Sequence, residues 1–140
     1  MNGTRWICPR CGRSFGRANR PHTCAPALSL DAYFAGRPPA QRRVFDAVAA
    51  HVRELDGVEI EAVSVGILIK ASRTFAELRP RRDRLALSLL LGRMLDHPRV
   101  RRHVRAGARG VAHFIDLHDT EDVDDEVRGW LTEAYLGASR

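Results

Sequence analysis

The chain has 140 residues, 44% of them hydrophobic and 29% charged, with a formal net charge of +6. That length suits one ordinary domain with a small appendage unable to bury a core of its own. The composition is that of a soluble globular chain, and no stretch approaches the roughly eighteen apolar residues of a membrane span.

The first two dozen residues hold all three cysteines, as Cys8, Cys11 and Cys24, with His22 one residue before the last. Two thiols two residues apart grip one ion from a single turn, and a Cys₃His set is a common tetrahedral shell for Zn²⁺. The spacing therefore predicts one structural Zn²⁺ held by Cys8, Cys11, His22 and Cys24. Four protein ligands leave no open position for water, so a catalytic zinc is not expected. A redox Cys-x-x-Cys belongs between a strand and a helix, whereas Gly12, Arg13, Ser14, Phe15 and Gly16 start no helix. That reading also leaves His22 and Cys24 without a role. A disulfide framework favours an even cysteine count in a secreted chain. The opening residues carry no apolar run of the signal-peptide kind, so the expected compartment is the reducing cytoplasm. Residues 1–25 thus read as a zinc knuckle. With only Trp6, Ile7 and Phe15 as sizeable apolar anchors, its folding energy comes largely from metal.

Residues 26–39 read as a linker punctuated by Pro26, Gly36, Pro38 and Pro39. It contains a helical turn over 30–35, capped by Ser29, from which Tyr33 and Phe34 dock on a neighbour. The α+β domain takes residues 40–140. Pro39 suits the start of a helix over 40–55, where Val44, Phe45, Val48, Val52 and Leu55 form one stripe and Gly57 follows as the left-handed cap. His51 lies at the border of that stripe, as a packed or half-exposed histidine.

The period then changes to two. Val58, Ile60 and Ala62 alternate with Glu59 and Glu61 in a first strand. Residues 67–71 and 74–79 supply the second and third. Residues 80–83 form a turn. The fourth strand carries Leu85, Leu87, Leu89 and Leu91, with Ala86 and Ser88 between them. Segment 92–109 permits a short helix near Val100 and Val104, then a loop from Gly107 to Gly110. The fifth strand, 111–117, places Val111, His113, Ile115 and Leu117 on one face. A last helix over 123–136 has Asp122 as its N-cap, with Val127, Trp130, Leu131 and Ala134 on its apolar face and Gly137 as its stop. The expected fold is α+β: an N-terminal zinc knuckle followed by a helix–antiparallel five-stranded sheet–helix sandwich, both helices on one face.

Trp6, Cys8, Cys11, Gly12, Arg13, Phe15, Asn19, His22 and Cys24, followed by Phe75, Pro80 to Asp83, His113, Asp124 to Val127, Trp130, Ala134 and Tyr135, carry a resemblance. The chain resembles the bacterial family called domain of unknown function 5655, in members with an N-terminal cysteine knuckle. It departs from that pattern at Arg20, where glutamine is expected after Asn19. The resemblance implies this architecture and no particular reaction.

Charge is unevenly distributed. Residues 1–30 hold five arginines and no acid, residues 79–109 hold ten arginines against Asp83 and Asp96, and residues 116–126 hold seven acids and no base. Basic patches point to an anionic partner such as nucleic acid. Because 22 of the 23 basic residues are arginine, a solvated, compositionally biased surface is the plainer explanation. No phosphate-cradling glycine loop, G-x-S-x-G or H-E-x-x-H is present. The chain therefore reads as a non-enzymatic binding module contacting nucleic acid or a protein partner. For nucleic acid, the candidate residues are Trp6, Arg10, Arg13, Phe15, Arg17 and Arg20 around the zinc turn. The alternative is a small-molecule or metal-handling α+β domain using the acidic run 116–126, with His113, Asp116, His118 and Asp119 as its site. Alternation puts Asp116 and His118 on one face and His113 on the opposite, apolar one. A hydrogen-bonded core histidine and a capping, solvated acidic loop are the plainer explanations of these residues.

Overall fold

A computed structural model describes residues 6–9, 14–16, 18 and 29–139. Helix α1 (Leu30–Phe34) starts at Ser29, whose Oγ accepts from the Ala32 N–H at 3.1 Å. Its Tyr33 and Phe34 are buried, and the Phe34 ring lies 5.3 Å from that of Phe45. Helix α2 (Pro39–Val52) opens on a proline, whose missing N–H costs nothing in the first turn, and buries Val44, Phe45, Val48, Ala49 and Val52. It ends three residues before the apolar stripe does. The N–H groups of Glu54 and Leu55 turn back to the carbonyls of His51 and Val52 at 3.2 and 3.0 Å, tightening the chain toward Gly57 at φ 74°.

The main sheet has six antiparallel strands where five were expected. Strands β3 (Glu59–Val63), β4 (Gly66–Lys70), β5 (Thr74–Pro80), β6 (Leu85–Leu91), β7 (Arg102–Arg105) and β8 (Val111–Leu117) lie in the spatial order β3-β4-β5-β6-β8-β7. The additional strand, β7, occupies the segment that permitted a short helix. It pairs along the outer edge of β8, with Arg102 opposite Phe114 and Arg105 opposite Val111. Without it, β8 would present a row of unpaired N–H and C=O groups to solvent. All four of its residues are exposed, so it carries none of the alternation by which a strand is read from sequence.

Helix α3 (Asp125–Ala138) begins two residues later than expected. Asp124 is its N-cap, accepting from the Val127 N–H at 3.1 Å. Asp122 instead closes the preceding 3₁₀ turn by accepting from the His118 N–H at 2.8 Å. Gly137 does not stop the helix, which runs one residue further. Both long helices lie on one side of the sheet, and Leu85, Leu87, Leu89 and Leu91 of β6 with Leu78, Ile115 and Leu117 are fully buried beneath them. Truncating one such leucine to alanine costs about 2–5 kcal/mol. Among the described residues, no helix is long and apolar enough to cross a membrane.

The N-terminal segment lies on the opposite side. Strands β1 (Trp6–Ile7) and β2 (Ser14–Phe15) pair antiparallel, with Trp6 opposite Phe15 and their rings 6.0 Å apart. Ser14 Oγ donates to Glu59 Oε1 at 2.6 Å. Lys70 Nζ donates to Ser14 O at 2.7 Å and to Glu61 Oε1 at 3.1 Å, and lies 4.9 Å from the centre of the Phe15 ring. The approach is close enough that a Cβ on Gly16 would fall 2.7 Å from the Ser72 carbonyl oxygen. Cys8, directly after β1, is buried. Cys11, His22 and Cys24 lie outside the described residues, as do Arg10, Arg13, Arg17 and Arg20.

Candidate functional site

The sheet face away from α2 and α3 is built by the same alternation that builds the core. Pairing aligns Glu61, Leu68, Glu77, Ser88, Phe114 and Arg102 in one row across six strands. Arg79, Ala86 and Asp116 form the start of the next row. Strand β6 turns its leucines inward at 85, 87, 89 and 91 and shows Ala86, Ser88 and, nearer its end, Leu90 outward. Small residues mid-sheet, flanked by long side chains on both sides, leave a trough.

The trough encloses about 230 Å³, with Ala86 and Ser88 as its floor. Glu77, Arg79 and Arg81 supply one wall and Phe114 with Arg102 the other. Arg79 Nε donates to Glu77 Oε2 at 3.0 Å. The Arg102 guanidinium lies 4.3 Å over the centre of the Phe114 ring, a cation–π contact. Arg81 stands on the turn between β5 and β6, where its N–H donates to the Arg84 carbonyl at 2.8 Å. Gln41, only 2% exposed, fixes that turn from the helix side: its Nε2 donates to the carbonyls of Arg81 and Arg84 at 2.7 and 3.3 Å.

Structure also divides the arginines of residues 79–109. Arg79, Arg84, Arg93, Arg99 and Arg101 are neutralised by Glu77, Asp83 and Asp116, Glu133, Asp124 and Glu126, and Asp116 respectively. The hydrogen bond from Arg93 holds the Glu133 carboxyl below its ordinary range. Arg81, Arg82, Arg102, Arg105 and Arg109 form no ion pair among the described residues. Two of these five line the trough.

His113, Asp116, His118 and Asp119 are placed apart. His113 is 0% exposed in the core. Its Nε2 accepts from the Leu95 N–H at 2.9 Å and its Nδ1 lies 2.9 Å from the Val111 carbonyl, so Nδ1 carries the proton. Burial pushes its pKa down, which keeps the ring neutral. His103 Nε2 donates to Leu95 O at 2.9 Å, so the two rings, 5.2 Å apart, pin the 92–100 connection from both sides. Asp116 lies on the open face against Arg84 and Arg101, at 3.0 and 3.3 Å. His118 follows the end of β8, 3.8 Å from Asp122. Asp119 accepts from the Thr120 N–H at 2.8 Å, which holds its carboxyl below the usual range, and pairs with Arg43 at 3.6 Å.

Asp124, Asp125 and Glu126 of the acidic run are engaged by capping and ion pairs. Asp124 caps α3 and pairs with Arg99, Asp125 pairs with Arg128, and Glu126 meets His97 at 2.9 Å. Among the described residues, no group of three or more His, Cys, Asp or Glu could hold a metal ion. Of the residues read as nucleic-acid contacts, Trp6 and Phe15 face one another in the hairpin, and the Phe15 ring is 5% exposed.

Glu77, Arg81, Ser88, Arg102 and Phe114 were not singled out by sequence. One signal for them was present: the leucine and small-residue alternation over residues 85–89, which marks a shallow outward position wherever its neighbours are long.

No curated protein and no solved structure matches the chain. A family model described as Domain of unknown function (DUF5655) matches residues 30–137, from α1 through nearly all of α3. The helix-backed sheet and its open trough are therefore features of a member of the DUF5655 family.

Proposed function

We propose that the chain is a binding module, carrying no reaction of its own, that contacts nucleic acid through the open face of its sheet. One observation carries the reading: three arginines surround a small-residue floor on a face free of α2 and α3, and Arg81 and Arg102 make no ion pair among the described residues. Arginine forks bind phosphate with two parallel hydrogen bonds. Uncompensated arginines on one face supply the footprint an anionic polymer requires.

The N-terminal segment belongs to the same proposal as a structural zinc knuckle held by Cys8, Cys11, His22 and Cys24. The donor set fits the metal. Because Trp6 pairs with Phe15 and Ile7 with Ser14, residues 8–13 connect two paired strands, and such a connection is where two thiolates two residues apart grip one ion. Zinc there would fix the hairpin that Lys70 and Glu59 hold against the sheet. Arg10, Arg13, Arg17 and Arg20 are further candidate contacts in this proposal.

The test is fluorescence anisotropy of labelled DNA and RNA oligonucleotides titrated with full-length protein at several salt concentrations. The logarithm of the affinity should fall linearly with the logarithm of salt as counterions are released. Arg81→Ala and Arg102→Ala should each lower the slope by about one. Absence of binding to every oligonucleotide at low salt would overturn the reading.

A further inference from the structure

We infer that the trough takes one unpaired nucleotide of a single strand, so that the open face selects single-stranded over double-stranded nucleic acid; this rests on the nucleic-acid reading above. Its volume of about 230 Å³ is below the roughly 300–1,000 Å³ of clefts that enclose whole drug-sized ligands. It is a recess for part of a polymer. A duplex keeps its bases paired and stacked and offers a flat sheet mainly its phosphates, whereas an unpaired base can turn out of the strand into a recess.

The two walls differ in a way that suits a nucleotide better than a bare anion. On one side, Arg102 covers one face of the Phe114 ring at 4.3 Å. Ser88, in register with Phe114 on the neighbouring strand, is too small to cover the other, so a base can lie above Ser88 and stack on the ring. Arg102 behind the ring adds a cation to that stack. On the opposite side, Arg79 uses its Nε on Glu77 at 3.0 Å, which leaves its terminal nitrogens for a phosphate, and Arg81 stands beside it. Glu77 would repel a bare phosphate. It serves as an acceptor for an N–H of a base edge or a sugar hydroxyl, groups that a nucleotide carries and inorganic phosphate lacks. Backbones β5 and β7 are three strand intervals apart, about 14 Å, which lets the walls act on the two ends of one nucleotide.

The test uses the full chain and three fluorescent probes of equal length: a single-stranded deoxythymidine oligonucleotide, its uridine counterpart and a hairpin duplex. Wild type should bind the single strands about tenfold tighter than the duplex at the same salt, the size of one stacked base. Ser88→Leu fills the floor at an outward strand position, and Phe114→Leu removes the ring. Each should lower affinity for the single strands about tenfold and bring the single-strand to duplex ratio close to one. Should Phe114→Leu fail to fold by circular dichroism, Ser88→Leu carries the test by itself. Equal binding of single strand and duplex by wild type, or an unchanged ratio in Ser88→Leu, would overturn the inference and leave the nucleic-acid reading standing. Failure of wild type to bind any probe would overturn both.

Discussion

The two ends of the open sheet face handle positive charge in opposite ways. At the β3–β4 end stands Lys70, the only lysine in the sequence, 4% exposed beneath the N-terminal hairpin. Glu61, the Ser14 carbonyl and the Phe15 ring surround its ammonium. At the β6–β8–β7 end, Arg81 and Arg102 border the trough with no carboxylate paired to them among the described residues. A compact ammonium enclosed by acceptors is a structural cation, because burying it is tolerable only with partners. Planar guanidinium forks left open over small residues cost little to keep and are available to a ligand. The difference teaches that net charge in a sequence says little until each cation has been placed beside its partners.

The largest expected effect lies at the enclosed end. Structural zinc supplies about 10 kcal/mol or more to the folding of small zinc modules. Cys11→Ser should therefore abolish the expected single equivalent of zinc, measured by elemental analysis, and open residues 1–25 to proteolysis while the sheet stays folded. A metal-free wild type with an intact hairpin would contradict this.

Next comes Glu61→Ala, which removes the carboxylate from a nearly buried ammonium. The loss should be about 3 kcal/mol, at the low end for a broken buried pair because the Ser14 carbonyl remains. Urea denaturation reads it directly. A loss under about 0.5 kcal/mol would place Lys70 among surface ion pairs, and the contrast between the two ends would collapse.

A smaller, pH-dependent effect comes from His113, on the core side of β8. Burial lowers its folded pKa, with His103 and Arg93 opposing its protonation as well. The unfolded chain therefore takes up a proton that the folded chain refuses. Stability should be flat above the ordinary histidine range and fall as pH drops through about 6.5 toward the folded value. Denaturation midpoints from pH 8 to 5 check the sign, and a rise toward acid would contradict it.

The smallest stability effect is expected at the open end. Arg81→Ala and Arg102→Ala should each change unfolding free energy by no more than about 0.5 kcal/mol while lowering affinity for nucleic acid. A large destabilisation would mean these arginines are structural too.

Much of the fold was legible because burial imposes periods. The leucines at 85, 87, 89 and 91 and the apolar positions 111, 113, 115 and 117 mark two strands with their bounds, and all are buried. His113 was legible as a core histidine from the same alternation. Strand β7 was not, since Arg102, His103, Val104 and Arg105 are all exposed and only the edge of β8 requires a partner there. The start of α3 was misplaced by two residues because Asp122 and Asp124 are both competent caps, and the clamp of Arg99 on Asp124 comes from a distant loop. The trough was not legible: Ala86 and Ser88 were read only as the positions between the leucines of a strand, its walls come from other strands and a turn, and no local pattern links Arg81 to Arg102.

The most direct test is to map amide chemical-shift changes on the isotope-labelled full chain as a single-stranded oligonucleotide is added. The changes should centre on Glu77, Ser88, Arg102 and Phe114, with the buried helix face unmoved. Bound protein in which Ser88 and Phe114 do not shift, while residues of α2 or α3 do, would contradict the account.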